Sequence, residues 1–95
     1  MPFWIVDLNS QGLHLRMALP VLIEHSEGEV IVRSPELRVT AASQSEAQAI
    51  LFFKEQVVDM YQEIKNEHRD RLGPVMQAIQ TALLAIVMEV PSGAA

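Results

Sequence analysis

From Leu13 onward, apolar side chains recur at every second position: Leu13, Leu15, Met17, Leu19, Val21 and Ile23. His14, Arg16, Ala18, Pro20, Leu22 and Glu24 fill the alternate set. A side-chain period of two belongs to a strand with one buried face, and a helix of period 3.6 cannot reproduce it. Pro20 brings no N–H to a ladder, so two strand segments are expected to meet near it at a bend, bulge or edge. The chain has to build a sheet and then cover it.

The flanking residues extend that sheet. Phe3 to Leu8 is aromatic and β-branched, and Asn9-Ser10-Gln11-Gly12 reads as a turn. His25-Ser26-Glu27-Gly28 is a short hairpin whose Gly28 supplies the positive φ. Val30 to Arg33 is the returning strand, Ser34-Pro35 interrupts it, and Leu37 to Ala41 is a further short strand or extended edge. Three to four antiparallel strands in a meander are implied.

The period then changes. Ser43-Gln44-Ser45-Glu46 reads as a capping box, with Ser43 as cap. Ile50, Phe53, Val57, Tyr61 and Ile64 follow at spacings of three and four, one face of a helix. This helix is expected over about 44–70, ending before Gly73-Pro74. Pro74 suits the first position of a second helix, over about 75–90. That segment is apolar nearly all round, and Leu84 to Val90 as a strand is the alternative. Pro91 to Ala95 is expected to fray. The fold class is α+β: a small antiparallel β-meander of three to four strands (about 3–41), one long helix packed on it, and an apolar C-terminal helix. A chain of 95 residues has room for one such domain.

The order Val21-Leu22-Ile23-Glu24, Glu27-Gly28-Glu29-Val30-Ile31-Val32, Ser34-Pro35-Glu36-Leu37, then Ser43 and Glu46-Ala47 resembles the HicB-like antitoxin family. In that family an I-E strand ends in an acidic Gly-containing hairpin. A second strand runs into a (S/C)-P-E-L segment, and a third precedes a helix opened by G-D-T-x-E-E-A. Here Ser43 stands for the Thr cap and Ala41 for the Gly. The likeness spans roughly residues 21–64. It implies a half-ferredoxin-like β-β-β-α unit that self-associates and blocks a small basic ribonuclease toxin. Two departures bear on the carry-over. Pro74 and everything after it contain no Lys or Arg, so the DNA-binding tail of the repressing family members is missing. The Phe3–Leu8 strand is extra. The chain reads as a stand-alone relative.

Catalytic chemistry has little to stand on. There is no cysteine, which removes disulfides, thiolate metal sites and thiol nucleophiles. His14, His25 and His68 lack metal-ligand spacing. Asp59, Glu63, Glu67 and Asp70 recur at helical spacing, but Lys65, Arg69 and Arg71 are interleaved, as on an ordinary solvated face. No serine lies in a G-x-S-x-G or S-x-x-K setting, and the glycines, at 12, 28, 73 and 93, form no phosphate loop. Arg16 and Arg33 could share a sheet face as an anion site; pairing with Glu24, Glu29 or Glu36 is the favoured reading. No catalytic, cofactor or metal residue is therefore expected, and the chain is read as no enzyme.

Charge excludes other partners. The formal net charge is −5, and neither half is basic, so nucleic acid is not an expected partner. No basic-then-apolar N-terminal pattern reads as a signal, and no apolar run approaches a membrane span, so neither membrane nor export is expected. A cytoplasmic setting follows.

What remains is excess apolar surface. Phe52 projects from the polar face of the long helix, with Leu51 and Val58 on its flank. Leu51, Phe52, Val58, Leu83, Leu84 and Val87 are the expected contacts of a homo-oligomer. Alternatively, the 75–90 segment folds back over Leu51 and Phe52 within one chain. Pro35, Glu36 and Leu37 are the expected strand edge for a partner, a small basic toxin-like protein. The expected function is non-enzymatic protein–protein association. The alternative is a small-ligand module whose pocket is gated by His14, Arg16 and Arg33.

Overall fold

The computed structural model describes residues 2–90; the tail expected to fray lies outside them. The strands are β1 (Pro2–Ile5), β2 (Leu13–Leu15), β3 (Leu19–Ser26), β4 (Glu29–Ser34), β5 (Val39–Ser43) and β6 (Val87–Glu89). The helices are α1 (Glu46–Ile64) and α2 (Pro74–Ile86), with a single 3-10 turn at Arg69–Arg71 between them. The chain is α+β. Among the described residues one antiparallel sheet has the order β1-β3-β4-β5, and a second pairs β2 with β6.

Each boundary has a local cause. Between β3 and β4 the turn residues Glu27 and Gly28 both have positive φ, at 48° and 79°. This is the twist-matched two-residue hairpin that the Gly anticipated. The β4–β5 connection is the turn Pro35–Arg38, not a strand beginning at Leu37. The Ser34 hydroxyl accepts from the Leu37 N–H at 3.2 Å. Arg38 closes the turn in the left-handed region at φ 56°.

The cap of α1 is Ser45, not Ser43: its side chain accepts from the Gln48 N–H at 3.2 Å. The Ser43 hydroxyl instead donates to the Gln48 side chain. α1 also ends at Ile64, not near residue 70. Beyond it, the Gln80 side chain donates to the carbonyl oxygen of Ile64 at 2.9 Å, which also accepts from the Glu67 N–H, and to that of Glu67 at 2.8 Å. Gln80 is itself buried, 3% exposed. Helix and strand both claim the C-terminal segment: α2 stops at Ile86 and β6 begins at Val87.

Pro20 lies inside β3, opposite Trp4. The break in the long alternation falls instead between Leu15 and Leu19. There the Arg16 N–H donates to the Ile86 carbonyl at 2.6 Å, and beyond β6 the Val90 N–H reaches the Gly12 carbonyl at 2.9 Å. The β2–β6 pairing thus ties the loop after β1 to the end of α2. Met17, in that break, is 59% exposed and leaves the buried set to which the alternation assigned it.

The core lies between the sheet and α1. α1 packs on β5 and β4 and sends Ala49, Phe53, Val57, Tyr61 and Ile64 inward. The sheet answers with Ile5, Leu19, Val21, Ile23, Val32 and Ala41. Ile79, Leu83, Ile86 and Val87 extend the same core. The molecule measures 40 × 39 × 18 Å, a plate two layers thick, since packed layers sit about 10 Å apart.

Candidate functional site

A two-layer plate leaves the far side of its sheet bare. Register fixes which side chains stand there. Directly opposed residues in antiparallel strands share a face. Trp4 stands opposite Pro20, and Pro2 opposite Leu22. Leu22 in turn faces Arg33, and Arg33 faces Thr40. Glu24, Ile31 and Ala42 form the next row. Val21 and Ile23, one residue out of phase, are buried toward α1.

One end of this bare face is apolar. Trp4 is 59% exposed and Leu22 40%. Pro20, Leu22, Pro2 and Pro35 line a hollow of about 300 Å³ with Glu36 at its rim. A second hollow, of about 390 Å³, shares Pro20 and Glu36 and continues to Trp4, Met17, Ala82 and Ala85. The other end is polar. Arg33 reaches Glu24 at 3.2 Å across β3 and β4, the strand pairing that the sequence favoured for it. Strand periodicity carried the signal for the apolar end: Trp4, Pro20, Leu22 and Ile31 all belong to outward-facing sets. The sequence named none of Trp4, Met17 and Leu22 as a contact residue, and its alternation placed Met17 in the buried set.

The expected contact residues scatter. Leu51 and Phe52 are 41% and 38% exposed on the outer side of α1, and Val58 is half-buried. Leu84 is exposed. Leu83 and Val87 lie in the chain's own core and are withdrawn as subunit contacts. Leu83 sits on the inward face of α2, and Val87 is held in the β2–β6 pairing opposite Leu15. The α2 segment does not cover Leu51 or Phe52, since both stay exposed.

The expected partner edge at Pro35, Glu36 and Leu37 is also corrected. These residues form a turn, and Leu37 is fully buried as an anchor of that turn. The true sheet edges are β1 and β5. On β5, the Gln56 side chain from α1 donates to the Thr40 carbonyl at 3.2 Å.

The proposed ligand gate is not assembled. His14 lines a cleft of about 340 Å³ walled by residues 6–11 and 13–15, without Arg16 or Arg33. Arg33 is engaged by Glu24 on the far side of the sheet. Glu67 and Asp70 lie beyond the end of α1, so the acidic row is broken. Among the described residues, no group of three or more His, Asp or Glu could hold a metal ion. In the same residues no helix is long and apolar enough to cross a membrane.

One polar cluster is built with care. The Tyr61 hydroxyl donates to Glu89 at 3.1 Å, and Lys65 Nζ donates to the other carboxylate oxygen at 3.0 Å. Lys65 also lies 5.6 Å from the Tyr61 ring centroid. Burial raises the Tyr61 pKa, and the Glu89 hydrogen bond adds to it. The hydrogen bond from Lys65, then that from Tyr61, lowers the pKa of Glu89. This cluster latches β6 to α1 and is structural.

Comparison with protein-family models, with curated proteins and with solved structures finds no match to this chain.

Proposed function

We propose that this chain is a non-enzymatic protein–protein interaction domain of the HicB-like kind, self-associating in the cytoplasm and blocking a small basic partner protein. One observation carries the reading: Trp4 and Leu22 lie exposed on the face of the sheet turned away from α1, with exposed Met17 in the adjoining loop beside Trp4. Single exposed apolar residues are ordinary, whereas a contiguous patch with an aromatic at its centre is the mark of an interaction surface. The net charge of −5 supports a basic partner, because opposite potentials speed encounter and suppress wrong pairings. The ligand-module reading needs His14, Arg16 and Arg33 to line one pocket, and His14 lines a cleft that includes neither arginine.

The test has two arms. Light scattering on the purified chain from about 1 to 100 µM is expected to give a mass above the single-chain 10.6 kDa. A folded monomer throughout would remove self-association. Capture of the tagged chain from its native cells is expected to recover a small basic protein in near-equal amount. Recovery of the chain alone would remove the inhibitor role.

A further inference from the structure

We propose that the hollow between α1 and the loop after β1 seats the apolar anchor of a basic amphipathic helix from a partner protein, with Glu55 and Asp59 holding its lysines or arginines. The inference deepens the basic-partner reading and rests on it.

The hollow comes first. Leu8, Ser10, Leu51 and Val58 line about 260 Å³ beside α1, with Glu55 and Asp59 on the same wall. Leu51 and Val58 lie two turns apart along one side of the helix. Leu51 is 41% exposed, and Phe52 stands exposed next to it. Apolar positions at that spacing match the anchors of a helix laid along a groove.

Charge selects the occupant. Glu55, Asp59 and Glu63 follow at steps of four on the exposed side of α1, and like charges at that spacing repel. The basic side chains interleaved with them in the sequence are engaged elsewhere. Lys54 Nζ turns to Asn9 at 3.0 Å and to Asp7 at 3.4 Å. Lys65 is held by Glu89 at 3.0 Å, and Arg69 donates to Thr81 at 2.8 Å. Among the described residues, Glu55, Asp59 and Glu63 make no ion pair. A cationic occupant therefore relieves a repulsion that the chain carries alone.

Other occupants answer only part of this surface. An anionic lipid surface or a nucleic acid meets the same repulsion. A second copy laid two-fold on α1 would set acidic row against acidic row. A bare cation leaves the apolar floor unused, and among the described residues no group of three or more His, Asp or Glu could hold a metal ion. A helix that carries both apolar anchors and cations answers both features at once.

The probe is a synthetic peptide helix of leucines and lysines in heptad pattern, compared with a leucine–glutamate peptide of the same pattern. Each is titrated into the isotope-labelled full chain, and amide NMR shifts read both site and affinity. The leucine–lysine peptide is expected to shift residues 8–10 and 51–62 and to bind at roughly 10–100 µM, and the leucine–glutamate peptide to stay unbound. Glu55→Lys with Asp59→Lys weakens binding at least about thirtyfold. Glu27→Lys with Glu29→Lys makes the same charge change at the exposed β3–β4 hairpin and leaves affinity within about twofold. All four side chains are exposed, and circular dichroism checks folding.

Equal weakening by the two reversals, with shifts spread over the whole chain, overturns the groove and leaves a basic partner standing on net charge. Equal binding of the leucine–glutamate peptide, or no shift from either peptide, overturns the groove as well. If capture from native cells recovers a basic protein whose contact shifts fall around Trp4 and Leu22 instead, the groove fails and the inhibitor role survives.

Discussion

Replacing Gln80 by glutamate would set a carboxylate against two carbonyl oxygens. In the native chain Nε2 of this buried side chain donates to Ile64 at 2.9 Å and to Glu67 at 2.8 Å. Its Oε1 is buried without a partner. Gln80→Glu conserves the shape and removes both donors. Two lost hydrogen bonds cost about 2 kcal/mol, and a buried charge without a partner raises the loss to about 3–5 kcal/mol. A chain of this length has roughly 5–14 kcal/mol in total, so the effect is large.

The sign of its pH dependence follows from the geometry. Two facing carbonyls and burial favour the protonated acid, so the folded-state pKa of the new carboxyl lies above its unfolded value. The penalty is then full above the raised folded value and shrinks as pH falls toward the unfolded value of about 4.3. Gln80→Leu is the control. It loses the same bonds but also removes the orphaned Oε1, and should cost about 1 kcal/mol with no pH dependence. Urea unfolding followed by circular dichroism, at matched protein concentration and at two pH values, reads both variants against the wild type. A Gln80→Glu loss below about 1 kcal/mol, or a gap that ignores pH, would refute the assignment of Gln80 as the tie between α1 and α2.

Other outcomes follow from the same structure. Phe53→Ala, at a fully buried position between α1 and the sheet, should cost about 3–5 kcal/mol in urea unfolding. Gly28→Ala should cost about 1 kcal/mol by the same assay, from backbone strain alone: φ is 79°, and nothing lies within 4 Å of the added carbon. The Glu89 latch should be sensitive to acid. Its pKa is lowered from 4.5 by Lys65 and then Tyr61, so its contribution is present above 4.5 and fades as pH falls through the depressed value. Thermal melts across that window should fall more steeply for the wild type than for Glu89→Gln, and parallel curves would count against the latch.

The strand-and-helix skeleton was legible because its signals are local. The alternation through Leu19, Val21 and Ile23 set the buried face of β3, and Glu27-Gly28 set the hairpin. The stripe Phe53, Val57, Tyr61 and Ile64 set the inward face of α1. Misplaced features depend on distant partners. α1 stops at Ile64 with Gln80 beneath it, and no Gly or Pro announces that stop. β6 forms because Val87 finds Leu15, a pairing across most of the chain that no local pattern encodes. Serines at both 43 and 45 could cap, and the geometry chose Ser45.

The candidate surface was half legible. Excess apolar area is visible in the sequence, which assigns it to Leu51, Phe52, Val58, Leu83, Leu84 and Val87; helix packing and strand pairing bury Leu83 and Val87. Trp4 and Pro20 became a surface only when β1 paired with β3 in register. That pairing leaps over β2, so the sequence order of the strands hid it.

Small-angle X-ray scattering in solution tests the self-association of this plate most directly. A single chain has a radius of gyration of 14.0 Å. Two chains in contact should give about 17–24 Å, from plates stacked on their faces to plates joined at their rims. A value that stays near 14.0 Å at high concentration would contradict self-association.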